Sequence, residues 1–217
     1  MAFISRIRAL VTLGQGMASG ISELTVAENP ITLFKEWFSK AQQSGIFLPE
    51  AVTLATATRD GIPSARMMLL KTVDERGFVF YTNFGSRKGT ELSENPRAAL
   101  VVHWPTLQRQ VRVEGSVKRL SSDESREYFS TRPRGSQIGA WASQQSSPVT
   151  SRIELEQRFR DYERKFQGRE VPLPDFWGGF RLRPVSIEFW QGRINRLHDR
   201  LRYTDEGGSW NVTRLYP

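Results

Sequence analysis

A chain of 217 residues with 38% hydrophobic and 11% aromatic content can close one full core, so it reads as a single folded domain and disorder is excluded. It has no cysteine and only two histidines, His103 and His198, which removes a disulfide framework and a thiolate metal site and argues against a histidine-rich centre, so no metal is expected. Thirty-one basic against 23 acidic residues give a net charge of +8, which favours anionic partners, and no apolar run reaches the ~18 residues needed to span a bilayer, so a soluble protein is expected.

Residues 1–22 carry Arg6 and Arg8 and no acid, with Phe3, Ile4, Ile7, Leu10 and Val11 at near-helical spacing. Residues 1–27 read as a flexible arm, with organelle targeting as the alternative, and residues 28–217 as the domain. Asn29 is placed to cap a helix with Pro30 at its first position. Leu33, Phe34, Trp37, Phe38 and Ala41 then form one apolar stripe that Gly45 ends.

From Val52 to about Val113 the period is that of strands. Val52 to Thr58 leads to a turn at Asp60-Gly61, Ser64 to Val73 follows, and Asp74-Glu-Arg-Gly77 turns the chain into Phe78 to Thr82. In Arg66-Met-Met-Leu-Leu-Lys71 the two cations stand five apart, so a regular strand sends them to opposite faces. They meet one ligand only across a bulge, or they serve two ligands; the apolar run Met67 to Leu70 predicts burial.

Tyr81-Thr-Asn-Phe-Gly-Ser-Arg-Lys88 runs from a strand through a Gly-Ser loop into a short helix capped by Ser86. Arg87 and Lys88 fall in its first turn, where the dipole disfavours cations, and a bound anion would remove that conflict. A solvated basic loop is the alternative reading.

After Pro96, Ala98 to Trp104 and Gln108 to Val117 read as two strands, the second with Gln108, Gln110, Arg112 and Glu114 on one face. Ser121 and Glu124 form a capping box for a helix holding Tyr128, and Ser151 and Glu154 form another for a helix with Leu155, Phe159, Tyr162 and Phe166 at helical spacing. Between them, Arg132-Pro-Arg-Gly-Ser136 and Gln144-Gln-Ser-Ser-Pro148 are rich in hydroxyls, amides and cations, which suit phosphate and are equally ordinary in turns. The chain closes with Phe176-Trp-Gly-Gly-Phe180, a strand from Val185 to Trp190, and a pair of strands across Asp205-Glu-Gly-Gly208. Trp190 to Tyr203 holds four arginines, one acid and His198, a set that a flat anionic ligand would satisfy and that a solvated hairpin would also explain.

Taken in order, Arg66 to Lys71, Tyr81 to Lys88, Arg109 to Gly115, Ser130 to Trp141, Phe176 to Gly179 and Glu188 to Gly192 with Arg196-Leu-His-Asp-Arg200 resemble the pyridoxine/pyridoxamine 5'-phosphate oxidase family. The resemblance covers about residues 28 to 217. It implies a mainly β fold with helices (α+β), an FMN-binding split β-barrel, and a homodimer with FMN at the subunit interface. It implies oxidation of pyridoxine 5'-phosphate or pyridoxamine 5'-phosphate to pyridoxal 5'-phosphate with O2, releasing H2O2 and, from the amine, ammonia, in vitamin B6 biosynthesis or salvage.

Carried over by residue, the FMN contacts fall on Arg66, Met67, Met68, Leu69, Leu70 and Lys71, then on Tyr81, Thr82, Arg87 and Lys88, and further on Gln110, Gln145, Ser146, Trp190 and Arg200. Substrate contacts fall on Lys71, Tyr128, Arg132, Ser136, Arg196, Leu197 and His198. The implied chemistry is hydride transfer from the substrate's C4' to flavin N5, with the protein supplying orientation and charge. Arg196 and His198, two apart on what reads as one strand face, are the expected catalytic pair, holding the pyridine ring while His198 hydrogen-bonds or takes a proton from the reacting group.

The family's N-terminal Arg-x-x-Tyr segment, which covers the substrate, does not occur in residues 6–27. The competing classes are a phenazine-biosynthesis type oxidase on the same fold, a non-catalytic carrier of FMN or pyridoxal phosphate, and a nucleic-acid-binding β-barrel. Arg132, Ser136 and Arg196 to His198 favour phosphorylated vitamers, so neither a nucleic-acid nor a membrane partner is expected, and the cytoplasm is the expected compartment.

Overall fold

The computed structural model describes residues 20–21 and 28–217, so the readings of the N-terminal arm, including its missing Arg-x-x-Tyr segment, lie almost wholly outside the described residues. Asn29 caps as its sequence predicts: its Oδ1 accepts the Ile31 N–H at 2.8 Å, and Pro30 starts helix α1 (Pro30–Gln43). The stripe of α1 is core. Phe34 meets Phe78 edge-on at 5.0 Å and Trp37 meets Phe189 at 5.2 Å, while the Arg109 guanidinium stands 4.3 Å from the Trp37 ring.

Among the described residues nine strands form one antiparallel sheet: β1 (Ala51–Ala57), β2 (Pro63–Leu69), β3 (Thr72–Asp74), β4 (Gly77–Asn83), β5 (Arg97–Trp104), β6 (Arg109–Arg119), β7 (Trp177–Gln191), β8 (Asp199–Asp205) and β9 (Trp210–Arg214). Their order is β2-β1-β5-β6-β7-β4-β3, with β8 also on β7 and β9 on β8. The curled sheet and its helices are the mainly β, split-barrel α+β fold that the resemblance implies. Among the described residues, no helix is long and apolar enough to cross a membrane.

The strand expected over Val185–Trp190 is longer by its whole first half, which is the segment Trp177-Gly-Gly-Phe180 and beyond. Two glycines and Pro184 weaken the strand signal there, and pairing overrides it. The first half of β7 pairs with β4, Trp177↔Asn83 to Leu182↔Phe78, and the second half pairs with β8, Ser186↔Thr204 to Gln191↔Asp199. β6 runs along the other edge of both halves, and the register slips by one residue at Gly115, which faces Pro184 while Glu114 faces Ser186. Gly115 is required at this bulge, since a Cβ there would lie 2.0 Å from the Arg183 carbonyl oxygen.

The burial expected for Met67 to Leu70 is corrected. β2 is an edge strand with one face to the core, so Met67 is 64% and Leu69 38% exposed while Leu70 is buried. The Arg66–Lys71 spacing resolves at the strand's end: Leu70 N–H bonds to Glu50 O and Lys71 N–H to Val79 O, so the chain leaves β1 and joins β4 between them.

Four more helices follow: α2 (Arg87–Glu94), α3 (Ser122–Thr131), α4 (Arg134–Ala142) and α5 (Arg152–Lys165). Ser121 and Glu124 close the full capping box on α3. On α5 only half forms: Ser151 Oγ accepts the Glu154 N–H, but the Glu154 carboxylate turns back to Thr150. Phe129, Ile138, Phe166, Val171 and Trp177 join the helices in a second, smaller core.

Candidate active site

Between α3, α4 and the strands β2 and β4 lies a cleft of about 990 Å³. Lys71, Tyr81, Thr82 and Gln145 line one part of it, and Tyr128, Arg132 and Ser136 another. Met67, Met68 and Leu69 supply an apolar margin, which is where the exposed face of β2 points.

Lys88 backs this wall from the first turn of α2. The Ser86 cap forms as expected, with Ser86 Oγ accepting the Gly89 N–H at 3.3 Å. Lys88 is 6% exposed, and its Nζ donates to Thr82 Oγ1 at 3.1 Å, Ser86 Oγ at 3.2 Å and Gln145 Oε1 at 3.1 Å. All three acceptors are neutral, and among the described residues no carboxylate lies within ion-pair distance. Burial, and next the Arg66 charge, pull Lys88 down to about 8 despite the opposing pull of Glu91.

Tyr81, Tyr128 and Trp177 stand as three near-parallel rings, with Tyr81 and Tyr128 face to face at 3.9 Å and Trp177 5.5 Å from Tyr81. Burial first, then the neighbouring Tyr128, raises the Tyr81 hydroxyl and keeps it a neutral donor. The Arg132 guanidinium lies 4.6 Å from the Trp177 ring, and its Nη1 is buried without a hydrogen-bond partner among the described residues. Arg134, two residues on, turns away and donates to the Phe166 and Arg169 carbonyls. Only one arginine of the Arg-Pro-Arg motif serves the cleft.

The other expected residues lie outside the cleft lining. Arg66 is engaged by Thr56, Ser64 and Glu91, and Arg87 donates its Nε to Glu91. Leu70 is core, and Ser146 sits exposed in the loop after α4 with φ at +74°. Gln110, Trp190 and Arg200 are cross-strand neighbours on β6, β7 and β8, with Arg200 held bidentate by Glu188 at 2.9 and 3.1 Å. The Trp190 ring contacts His198 at 4.7 Å, and His198 Nδ1 accepts the Arg193 N–H at 3.1 Å.

Arg196 and His198 do not share a strand face. Arg196 ends a 3-10 turn (Ile194–Arg196) in which Asn195 and Arg196 take left-handed φ values of 59° and 62°, and β8 begins only at Asp199. None of this group is in the lining of the cleft. Trp177 lines the cleft, and Trp190 stands thirteen residues along the same strand, roughly 40 Å of contour at ~3.3 Å per residue.

Sequence reading missed Asn83, Thr131 and Ser143 in the lining, and the brace that Trp177 gives Arg132. The Trp177 brace had a signal, the Trp-Gly-Gly run: a Cβ at Gly179 would lie 2.8 Å from the Tyr81 ring, so the backbone must pass close under the stack.

A family profile described as "Pyridoxamine 5'-phosphate oxidase" matches residues 38–165, and a second, described as "Pyridoxine 5'-phosphate oxidase C-terminal dimerisation region", matches residues 177–217. The chain belongs to the pyridoxamine 5'-phosphate oxidase family. Among relatives, a "Pyridoxine/pyridoxamine 5'-phosphate oxidase" of Rubrobacter xylanophilus is 58% identical over 199 residues, 92% of each chain, and one of Psychromonas ingrahamii is 52% identical over the full length of both. The crystal structure of PhzG from Burkholderia lata, in complex with tetrahydrophenazine-1-carboxylic acid, is 34% identical with a TM-score of 0.85, covering 89% of this chain and 95% of that one. Within the pyridoxamine 5'-phosphate oxidase family, the group Gln110, Trp190, Arg196 to His198 and Arg200 divides at the second profile: all but Gln110 fall in the dimerisation region.

Proposed function

We propose that the chain is an FMN-dependent oxidase that converts pyridoxamine 5'-phosphate and pyridoxine 5'-phosphate to pyridoxal 5'-phosphate, with O2 as acceptor, releasing H2O2 and, from the amine, ammonia. The observation that carries it is a pair of cations at one cleft that are short of anions among the described residues: Lys88, buried behind its wall against neutral oxygens, and Arg132 in its lining, with a buried Nη1 that has no partner there. Two phosphate monoesters side by side satisfy both.

FMN is the cofactor, and when bound it supplies the two-electron acceptor of the reaction and passes the electrons to oxygen. Thr82 near the end of β4 and Arg87 and Lys88 at the capped start of α2 would hold its phosphate, with Arg66, Tyr81 and Gln145 beside them. Arg132 and Ser136 would take the substrate's phosphate and Tyr128 would pack beside it, while Lys71 stands where the two sets meet. The homodimer brings the remaining residues: Arg196 of the partner subunit and His198 of the partner subunit cover the substrate, with the partner's Trp190 and Arg200 and the partner's Gln110 closing the cofactor side. Because His198 Nδ1 accepts the Arg193 N–H, the neutral ring carries its proton on Nε2. In that tautomer His198 would offer Nε2–H to the substrate's hydroxyl or amine, the first of the two roles its position suggested; taking the proton that the reaction releases, the second role, would need the tautomer with Nε2 free. We place the reaction in the cytoplasm without nucleic-acid or membrane partners; the grouping of Lys71, Lys88 and Arg132 at one cleft supports small anionic ligands.

The test is anaerobic mixing of FMN-loaded protein with each phosphorylated vitamer, following flavin absorbance, then admission of air. Bleaching, then recovery with pyridoxal phosphate formed, is the expected result. The likeness to PhzG gives a second reading, a reduced phenazine carboxylate as substrate; bleaching by that compound and by neither vitamer would replace the first.

A further inference from the structure

Glu91 sits among the basic groups at the start of α2, and its side chain is 4% exposed. Its Oε2 accepts Thr56 Oγ1 at 2.5 Å, Ser64 Oγ at 2.6 Å and Arg66 Nη2 at 3.3 Å, and its Oε1 accepts Arg87 Nε at 2.9 Å. The two arginines come from different elements, β2 and α2, so one buried carboxylate fixes both. Arg87 is held through Nε one helical turn away, and its terminal nitrogens make no hydrogen bond among the described residues. Those nitrogens stay available on a guanidinium that can no longer swing.

We propose that Glu91 is a positioning residue that holds the Arg66 and Arg87 guanidinium groups in place for the phosphate end of the cofactor, an inference that rests on the FMN oxidase reading above. Charge alone argues the other way: a carboxylate near Lys88 subtracts from the positive potential and should weaken an anion's binding. Preorganisation opposes this, because an untethered arginine has many rotamers to lose when a ligand binds. The tether also persists over the working pH range. Burial pushes the Glu91 carboxyl up, but the hydrogen bonds from Ser64, Thr56 and Arg87 and the Arg66 charge outweigh it and hold the group at about 2.

The two accounts differ in sign, so one experiment separates them. Apoprotein of wild type and Glu91→Gln is titrated with FMN and, separately, with riboflavin, following flavin fluorescence, and the melting temperature of each apoprotein is recorded. The expected result is a Kd for FMN raised roughly ten-fold or more with riboflavin binding unchanged. Glu91→Asp, which keeps the charge and shortens the reach, should show a smaller loss in the same direction, and it serves as the test if the glutamine variant does not fold. Unchanged or tighter FMN binding by the folded variant overturns the proposal. So does an equal loss for FMN and riboflavin, which marks a packing role. A wild-type apoprotein that binds no FMN overturns the oxidase reading itself and takes this inference with it.

Discussion

A lysine buried against two hydroxyls and an amide oxygen has lost its water without gaining a countercharge, and this is the state of Lys88, at about 8 against an ordinary 10.5. Between those two values the unfolded chain holds the proton and the folded chain does not. The stability of the apoprotein should therefore climb as pH rises from 8 towards 10.5 and be least favoured by this group below 8. A bound dianion reverses the preference by favouring the charged form. FMN binding then takes up a proton above pH 8, and the affinity of the apoprotein should fall by up to about ten-fold per pH unit beyond it. Fluorescence titrations between pH 7 and 9 check this. Lys88→Met should bind FMN more weakly at pH 7 and lose the pH dependence; a dependence that survives the substitution would assign it to another group.

Lys88 stood out because a cation in a first helical turn is a local anomaly; for Arg132 and Ser136 the polar loop left an ordinary turn equally open, and only the family resemblance singled them out for the cleft they line. Glu91 did not stand out, since a glutamate inside a helix is ordinary and only β1 and β2 crossing above it bring Thr56, Ser64 and Arg66 to its oxygens. The strand face proposed for Arg196 and His198 failed for a local reason. Two successive left-handed residues break the alternation, and neither Asn195 nor Arg196 announces that in sequence.

At the scale of elements, helix starts were read well, because caps act over three or four residues: Asn29, Ser86, Ser121 and Ser151 all accept from the backbone as expected. Strand ends were read poorly wherever a distant partner sets them. β7 keeps extended geometry across Gly178 and Gly179 because β4 pairs with them, and across Pro184 because β6 pairs with it. The bulge opposite Pro184 depends on Gly115 letting two backbones touch. Gly115→Ala should lower stability by about 1–3 kcal/mol, measured by urea unfolding of the holoprotein, because neither strand can retreat from the new methyl group. An unchanged midpoint would mean that the bulge has slack. Gly115 was quoted in a motif but read for its neighbours, and its own role is visible only in the paired strand.

At the scale of the whole molecule, the proposed function leaves one protomer with two incomplete collections: the cleft with Lys71, Tyr128, Arg132 and Ser136, and the C-terminal group with Trp190, Arg196, His198 and Arg200. Sequence order placed both in one site and was silent on which copy supplies each. Subunit mixing tests the division. Arg132→Ala and His198→Asn homodimers should each turn over slowly, whereas co-expression gives mixed dimers with one site free of both lesions and about a quarter of wild-type activity at random pairing. No recovery above the two parents would place all these residues in a site within a single chain.

The position of β7 at the centre of the sheet has a consequence for how the protein is made. Its residues, 177 to 191, are partners for β6, β4 and β8, and pairs such as Arg109↔Gln191 join positions far apart in the chain. During synthesis the middle of the sheet stays open until β7 has emerged, so the nascent chain carries Phe80 and Val111 without the strand that pairs with them, at Phe180 and Phe189. The sheet therefore cannot close before β7 is made, and the interval before β7 docks is when the open strand edges of β4 and β6 are most exposed to aggregation.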